Sequence, residues 1–181
     1  MRQSNPAPPP DLICSAKGLT SGYQPMSATI ISDRIFDVIS EPGAMFMHGM
    51  TYSGHPACCA AALKNIKILE NENICGHVKR VGPLFEADMK TLEALDIVGE
   101  VRGSHFMMGI EFVKDKQTKE AFDQDTNIGG MVAKHAQQRG LIVRPLGSMA
   151  VLSPCLILEE KETKRIVDIL RESISAAMES L

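Results

Sequence analysis

Pro10-Asp11-Leu12-Ile13-Cys14-Ser15-Ala16-Lys17-Gly18-Leu19-Thr20-Ser21-Gly22-Tyr23 is the stretch that decides the fold. A short apolar run delivers one lysine to a turn rich in glycine and serine. In a poorly solvated pocket the ammonium form of that lysine is disfavoured, and the neutral amine attacks carbonyl groups to form a Schiff base. On the local residues alone, the commoner case is a lysine that ends a strand and reaches into water. A second segment bears on the choice. Phe46-Met47-His48-Gly49-Met50-Thr51-Tyr52-Ser53-Gly54-His55-Pro56 is a glycine-punctuated, hydroxyl-bearing loop that runs into an alanine-rich helical stretch. Pro56 suits a first helical position, with Ser53 or His55 near the cap. Hydroxyls and free backbone N–H groups there suit a phosphate, and an ordinary capped helix shows the same pattern.

Taken together, the two segments resemble the class III pyridoxal-phosphate-dependent aminotransferases. The matching residues are Pro10-Asp11-Leu12, Ala16-Lys17-Gly18-Leu19, His48-Gly49 and Thr51-Tyr52-Ser53-Gly54-His55-Pro56. Gly99-Glu100-Val101-Arg102-Gly103, Arg139-Gly140-Leu141-Ile142-Val143-Arg144 and Leu152-Ser153-Pro154 follow in the family's order and spacing. The Thr51–Pro56 string is most similar to the subgroup that moves amino groups from amines, polyamines or omega-amino acids to pyruvate.

The resemblance implies an α/β fold of the fold-type I pyridoxal-phosphate-dependent transferases. Residues 11–75 would be the C-terminal part of the large cofactor-binding domain, and 76–181 a small C-terminal α+β domain. Lys17 would be the catalytic, cofactor-holding lysine. Thr51 would bind the phosphate of a neighbouring subunit's cofactor, which implies a homodimer or higher homo-oligomer. Arg144 would bind the carboxylate of pyruvate or an amino acid, its planar fork suiting a bidentate contact. By its residues alone, Thr51 is also a plain loop threonine and Arg144 a solvated strand end. Two departures from the family surround Arg144: Pro145-Leu146-Gly147-Ser148 follows it, and Pro154-Cys155 replaces the usual pair of prolines.

The family's ring-nitrogen aspartate, its stacking aromatic residue and most of its phosphate contacts precede the lysine. Asp11 belongs to the Pro-Asp-Leu strand entry and does not supply that aspartate. The chain therefore reads as a C-terminal fragment of a transaminase that is inactive in isolation. A pyridoxal-phosphate-dependent aminomutase of the same fold, or a non-catalytic remnant or assembly subunit, would share these motifs. The amine donor is not legible, because the family shapes that pocket largely with the preceding half.

Composition sets wider bounds. A chain of 181 residues makes one domain or two. A net charge of -3 gives no electrostatic reason to expect nucleic acid or a membrane surface. No run is long and apolar enough to span a bilayer. The five cysteines, at 14, 58, 59, 75 and 155, form no Cys-x-x-Cys pair and are odd in number. That argues for reduced thiols in a cytoplasmic protein, against a disulfide framework or structural zinc. His48 and His55 lack the Cys or carboxylate partners of a metal site, so no metal is expected, and hydrogen bonds within the loop are their expected role. Cys58 and Cys59 read as buried small residues of a helix, and the eleven methionines as fillers of a core or interface. Residues 1–10, one basic residue and four prolines without an apolar segment, read as an extended lead-in, not a secretory signal.

Periodicity predicts the elements. Leu12–Ala16 and Met26–Ile31 read as short buried strands. Ser32-Asp33 would cap a short helix through Ile39, and Pro56 opens a helix to about Glu70. Ile74, Val78, Val81, Phe85, Met89 and Leu92 form a helical stripe that Gly82-Pro83 must kink or restart. Strands follow at Ile97–Arg102 and Phe106–Val113, a loop at Lys114–Asp125, and a helix from Ile128 to Arg139 ended by Gly140. Strands at Leu141–Arg144 and Met149–Ser153 precede a last helix that starts near Glu159-Glu160.

Overall fold

The computed structural model describes residues 9–181, so the lead-in expected at 1–10 lies outside them except for its last two positions. The chain divides into two compact units, Met1–Glu72 and Asn73–Leu181. Asn73, with φ 47°, takes the left-handed conformation between two helices, which asparagine tolerates better than most residues.

In the first unit, β1 (Leu12–Ser15) and β2 (Ala28–Ile31) form an antiparallel pair with Leu12 opposite Ile31 and Ser15 opposite Ala28. Helices α1 (Asp33–Ile39) and α2 (Pro56–Asn71) follow. The strands stand where the apolar runs put them, but they are not buried: Leu12 is 55% exposed and Ile30 56%. Ala62 is the one buried apolar side chain among the described residues of this unit. Polar clips hold its backbone together. Ser32 precedes α1, yet its hydroxyl does not cap the helix; it donates to Asp11 Oδ1 at 3.0 Å, and its N–H donates to the Asp11 carbonyl at 2.9 Å. Arg34 pairs with the same carboxylate and, with Ser32, holds its pKa below the ordinary aspartate value. Asp11 thus ties β1 to α1, in keeping with a strand-entry aspartate.

The second unit is built on a conventional core. Helix α3 (Ile74–Lys90) leads through a tight turn at Thr91–Ala94 to β3 (Val98–Ser104) and β4 (Met107–Phe112). Helix α4 (Ile128–Gln138), β5 (Arg144–Leu146), β6 (Met149–Leu152) and α5 (Glu160–Met178) complete it. The four strands form an antiparallel sheet in the order β3-β4-β6-β5. Register gives each face its chemistry. Val101, Ile110 and Ala150 lie abreast on one face, as do Met108 and Leu152, and all are buried. On the same side Phe85, Met89, Val132, Leu170 and Ile174 from the helices are fully buried with them. The opposite face carries Arg102, which pairs with both Glu100 and Glu111, and also carries Arg144, which stands opposite Val151.

Two local expectations change. Helix α3 runs from Ile74 to Lys90 as one element with Pro83 inside it. A proline there forfeits one backbone hydrogen bond. Buried Val81, Phe85 and Met89 anchor the helix on both sides of it, and that burial outweighs the loss. The strand expected at Leu141–Arg144 begins only at Arg144, because the end of α4 uses the preceding residues. Gly140, at φ 85°, donates to the Gln137 carbonyl at 3.0 Å, and Leu141 N–H reaches the Ala136 carbonyl at 2.9 Å. That is a Schellman closure, and it turns the chain before pairing starts. Close approach also fixes Gly129 in α4, where a Cβ would sit 2.4 Å from the Gly147 carbonyl oxygen.

Helix α5 starts in a reciprocal cap, in which the side chains of Glu159 and Glu162 each accept from the other's backbone. Outer strand β3 has its own polar closure. Glu93 Oε1 accepts the Val101 N–H at 2.8 Å and Lys90 Nζ at 2.8 Å. Lys90 first, and the Val101 N–H second, hold the Glu93 carboxyl below its ordinary pKa. A group lowered in the folded state stabilises fully above its unfolded pKa and loses that contribution as pH falls through the folded value. Glu93→Ala should therefore destabilise the second unit by about 1 kcal/mol at neutral pH, the net worth of a partly exposed hydrogen bond. Urea titrations of both proteins should show the gap narrowing below the carboxylate range. A gap that is constant with pH would remove the charged carboxylate from this role.

Candidate active site

Lys17 heads a turn of 3-10 helix, Lys17–Leu19, that begins directly after β1. Its backbone is left-handed, with φ 50°. For a residue with a Cβ, that conformation costs about 1 kcal/mol or more and has to be held by its surroundings. The turn closes on itself: Leu19 N–H donates to the Ala16 carbonyl at 3.1 Å, and Thr20 N–H to the Lys17 carbonyl at 3.3 Å. Thr20, 2% exposed, donates its hydroxyl to the Gln24 carbonyl at 2.6 Å and so fixes where the chain leaves. The Lys17 side chain itself is exposed. The poorly solvated pocket that the chemistry asks for is not formed around it by the described residues. Among those residues no carboxylate forms an ion pair with its ammonium.

Helix α2 reaches this turn with one polar side chain. Asn65 Nδ2 donates to the Gly18 carbonyl at 2.8 Å and to the Leu19 carbonyl at 3.2 Å, while its Oδ1 accepts from Ser21 Oγ at 2.7 Å. The sequence reading passed over Asn65. Its signal was faint: an asparagine in a helix interior, where its propensity is poor and its side chain seeks backbone partners.

Thr51 lies in the loop before α2. Met50 N–H donates to Ser53 Oγ at 3.1 Å, Ser53 N–H to the Met50 carbonyl at 2.9 Å, and His55 N–H to the Tyr52 carbonyl at 3.3 Å. These bonds fold residues 50–55 into successive turns that end at Pro56, the first residue of α2, with His55 as the capping position. Thr51 stands out of this network. Among the described residues neither its hydroxyl nor its N–H has a hydrogen-bond partner. Two free donors on an exposed loop beside a helix start fit the oxygens of a phosphate. The loop borders a hollow of about 920 Å³ whose other wall is Gln24, Pro25, Met26 and Ser27, the segment that follows the lysine turn. Lys17 is not part of that wall.

The histidines of this loop do not form ring hydrogen bonds among the described residues. The ring of His48 lies 5.9 Å from that of Phe46, and the ring of His55 6.4 Å from that of Tyr52, so aromatic contact takes the place of the expected loop bonds. Cys58 and Cys59 are half-buried and unpaired. Ala57, Ala60 and Leu63 of the same helix are exposed. No group of three His, Cys, Asp or Glu side chains among the described residues is placed to hold a metal.

Arg144 belongs to the second unit. It opens outer strand β5, where Val151 of β6 faces it across the ladder. It borders a shallow hollow of about 410 Å³ with Val151, Ser153 and Pro154. Arg102, on the same open face, is taken up by two glutamates, whereas no described acidic side chain pairs with Arg144. An exposed, unpaired guanidinium is free to bind a carboxylate through both oxygens.

Ser104, His105 and Glu86 of the second unit stand together without forming a relay. The Ser104 hydroxyl, 2.8 Å away, and the Glu86 carboxylate, 3.0 Å away, both meet Nδ1 of His105. A nucleophile–base–acid chain needs the two partners on different ring nitrogens.

Comparison with known proteins gives this arrangement its context. The profile of Aminotransferase class-III matches residues 4–174. The chain is 40% identical over 171 residues to the adenosylmethionine-8-amino-7-oxononanoate aminotransferase of Methanocaldococcus jannaschii, covering 93% of this chain and 37% of that protein. It is 38% identical over 173 residues to the mitochondrial gamma-aminobutyrate transaminase 1 of Oryza sativa, covering 94% of this chain and 34% of the relative. Among solved structures it superposes with a TM-score of 0.87, at 38% identity, on an amine transaminase of an uncultivated Pseudomonas species in its PLP-bound form. That match covers 93% of this chain and 39% of the other. The chain thus spans little more than a third of the proteins it matches. Its architecture is that of the fold-type I transaminases, as the motifs implied, and the chain belongs to the class III aminotransferase family.

Proposed function

We propose that these residues form the lysine-bearing part of a transaminase that moves an amino group from an amine, polyamine or omega-amino acid to a keto acid such as pyruvate. The observation that carries this reading is an unpaired lysine at the head of a held, left-handed turn, in the same unit as a loop with two free donors. The donor chemistry present fits pyridoxal phosphate: a primary amine for its carbonyl, and the hydroxyl and N–H of Thr51 for its phosphate. When bound, that cofactor supplies the carbonyl that captures amines and the electron sink that stabilises a carbanion.

The chain's own residues then have definite tasks. The Lys17 amine would hold the cofactor through its carbonyl carbon. Freed, Lys17 Nζ moves a proton off the substrate carbon and returns it, acting as base and then as acid. Thr51 fixes the phosphate end of a neighbouring subunit's cofactor, so the reading includes a homodimer or higher assembly. Arg144 orients the keto acid through its carboxylate, and an amine that lacks a carboxylate does not use it. A cytoplasmic setting goes with this reading, since five scattered thiols suit a reducing compartment.

Exposure of Lys17 bears on the fragment reading. Efficient proton transfer needs an aligned, water-poor site, and residues 9–181 leave the lysine in water. The enclosing walls and the acidic partner of the ring nitrogen then belong to the part of the family's length that this chain does not span.

Three experiments address these assignments. In the chain joined to the preceding part of a class III relative, borohydride reduction should fix pyridoxal phosphate onto Lys17. Peptide mapping that places it on another lysine, with Lys17 unmodified, would sink the assignment. In the same enzyme, Arg144→Ala should raise the KM for pyruvate by roughly thirtyfold, about 2 kcal/mol, and leave the KM of a carboxylate-free amine nearly unchanged. Equal effects on both would make Arg144 a structural or solvated residue. The 181-residue chain alone should show no turnover of amine and pyruvate above a Lys17→Ala control. Lysine-dependent turnover by that chain would refute the fragment reading.

A further inference from the structure

The lysine turn has a strained residue at its head and a single polar side chain from outside gripping its middle. Asn65 uses both ends of its carboxamide. Its nitrogen spans two consecutive carbonyls, Gly18 at 2.8 Å and Leu19 at 3.2 Å, and its oxygen takes the Ser21 hydroxyl at 2.7 Å. Three of the four residues that follow Lys17 are therefore fixed to helix α2 by one side chain. Bonds within the turn close it but do not tie it to the helix. Few other side chains would serve. Aspartate offers no donor to the two carbonyls, leucine offers neither donor nor acceptor, and serine is too short to span them. Ala62, on the Asn65 side of the same helix, is the one buried apolar side chain of α2, while Leu63, Ile66 and Ile68 are at least 38% exposed, so apolar packing adds little to the clamp.

We propose that Asn65 is the positioning residue of the Schiff-base lysine: it locks the Lys17–Ser21 turn onto α2 and so sets where the amine emerges. The inference rests on Lys17 being that lysine. Asn65 touches neither cofactor nor substrate; it acts through the backbone on either side of Gly18. A loosened turn lets Lys17 leave its left-handed conformation, and the amine then spends less time aligned with the carbon whose proton it moves. The loss falls on the step that needs alignment and spares substrate binding.

The test uses the chain joined to the preceding part of a class III relative, loaded with pyridoxal phosphate, with three variants: Asn65→Ala, Asn65→Asp and Ser21→Ala. Asn65→Ala should lower kcat by about tenfold or more while the KM for pyruvate stays within about twofold. Hydrogen exchange at the Thr20 and Ser21 amides should quicken by about tenfold or more, and the pH midpoint of the bound cofactor's visible absorbance should move. Asn65→Asp has the same shape and keeps the acceptor, so it should behave like the alanine variant; it also guards against mere collapse of the helix. Ser21→Ala removes one arm only and should cost about threefold or less. A wild-type kcat, absorbance midpoint and amide exchange in Asn65→Asp would overturn the proposal. So would a loss confined to KM. Borohydride mapping of the unmutated enzyme separates the two claims: cofactor on a different lysine defeats the Lys17 assignment, whereas cofactor on Lys17 with no effect of Asn65 defeats only this one.

Discussion

The buried layer between the antiparallel sheet and its helices is the constraint on which the second unit depends. Val101, Ile110 and Ala150 form a row across three strands, and Phe85, Met89, Leu170 and Ile174 close over the same face. Burying each of the larger side chains among them contributes on the order of 1.5–3 kcal/mol. Phe85 and Phe106 meet edge-on at 6.0 Å, which docks the β3–β4 hairpin on α3. Because the sheet side chains alternate, burying one face commits the other to water. Arg144 faces outward for that reason: it shares the pleat of Val151, Gly109 and Arg102, not that of the core.

The first unit obeys different physics. It has almost no core of its own, and its order comes from directed polar contacts. Asp11 links Ser32 and Arg34, Thr20 closes on Gln24, and Asn65 holds Gly18, Leu19 and Ser21. Such contacts set angles well and contribute little net stability, because water competes for each of them. The residues assigned to chemistry in this unit, Lys17 and Thr51, lie on a short 3-10 turn and a loop between the strands and helices. That placement is usual for functional groups carried by a scaffold. The exposed methionines at 45, 47 and 50, each at least 70% accessible, lie on the same loop as Thr51, and of the two explanations composition offered for methionine, a place in the core does not hold for them.

Much of this was legible in the sequence. The α-helices of the second unit and strands β3, β4 and β6 follow from apolar spacing, and the helix ends follow from Pro56, Gly140 and Glu159. The family motifs point to Lys17, Thr51 and Arg144 as the site residues of the proposed function. What the sequence hid has physical causes. Burial of β1 and β2 does not follow from apolar content, since it depends on what covers a strand. The start of β5 was misplaced because the Schellman closure takes up Leu141, and periodicity does not register such a cap. Gly82-Pro83 reads as a kink or a restart, and the buried side chains around it carry α3 through as one element. Asn65 escaped because its importance lies in three hydrogen bonds to residues more than forty positions away.

Pro145 gives the four-stranded sheet a property that its core does not. It occupies the outermost strand and has no N–H to offer a further strand from another molecule. At the opposite border the ladder skips a register at Gly99, and Glu93 already occupies the outward N–H of Val101. Each margin of the sheet thereby lacks one backbone donor that intermolecular strand addition, the route by which sheets polymerise, would use.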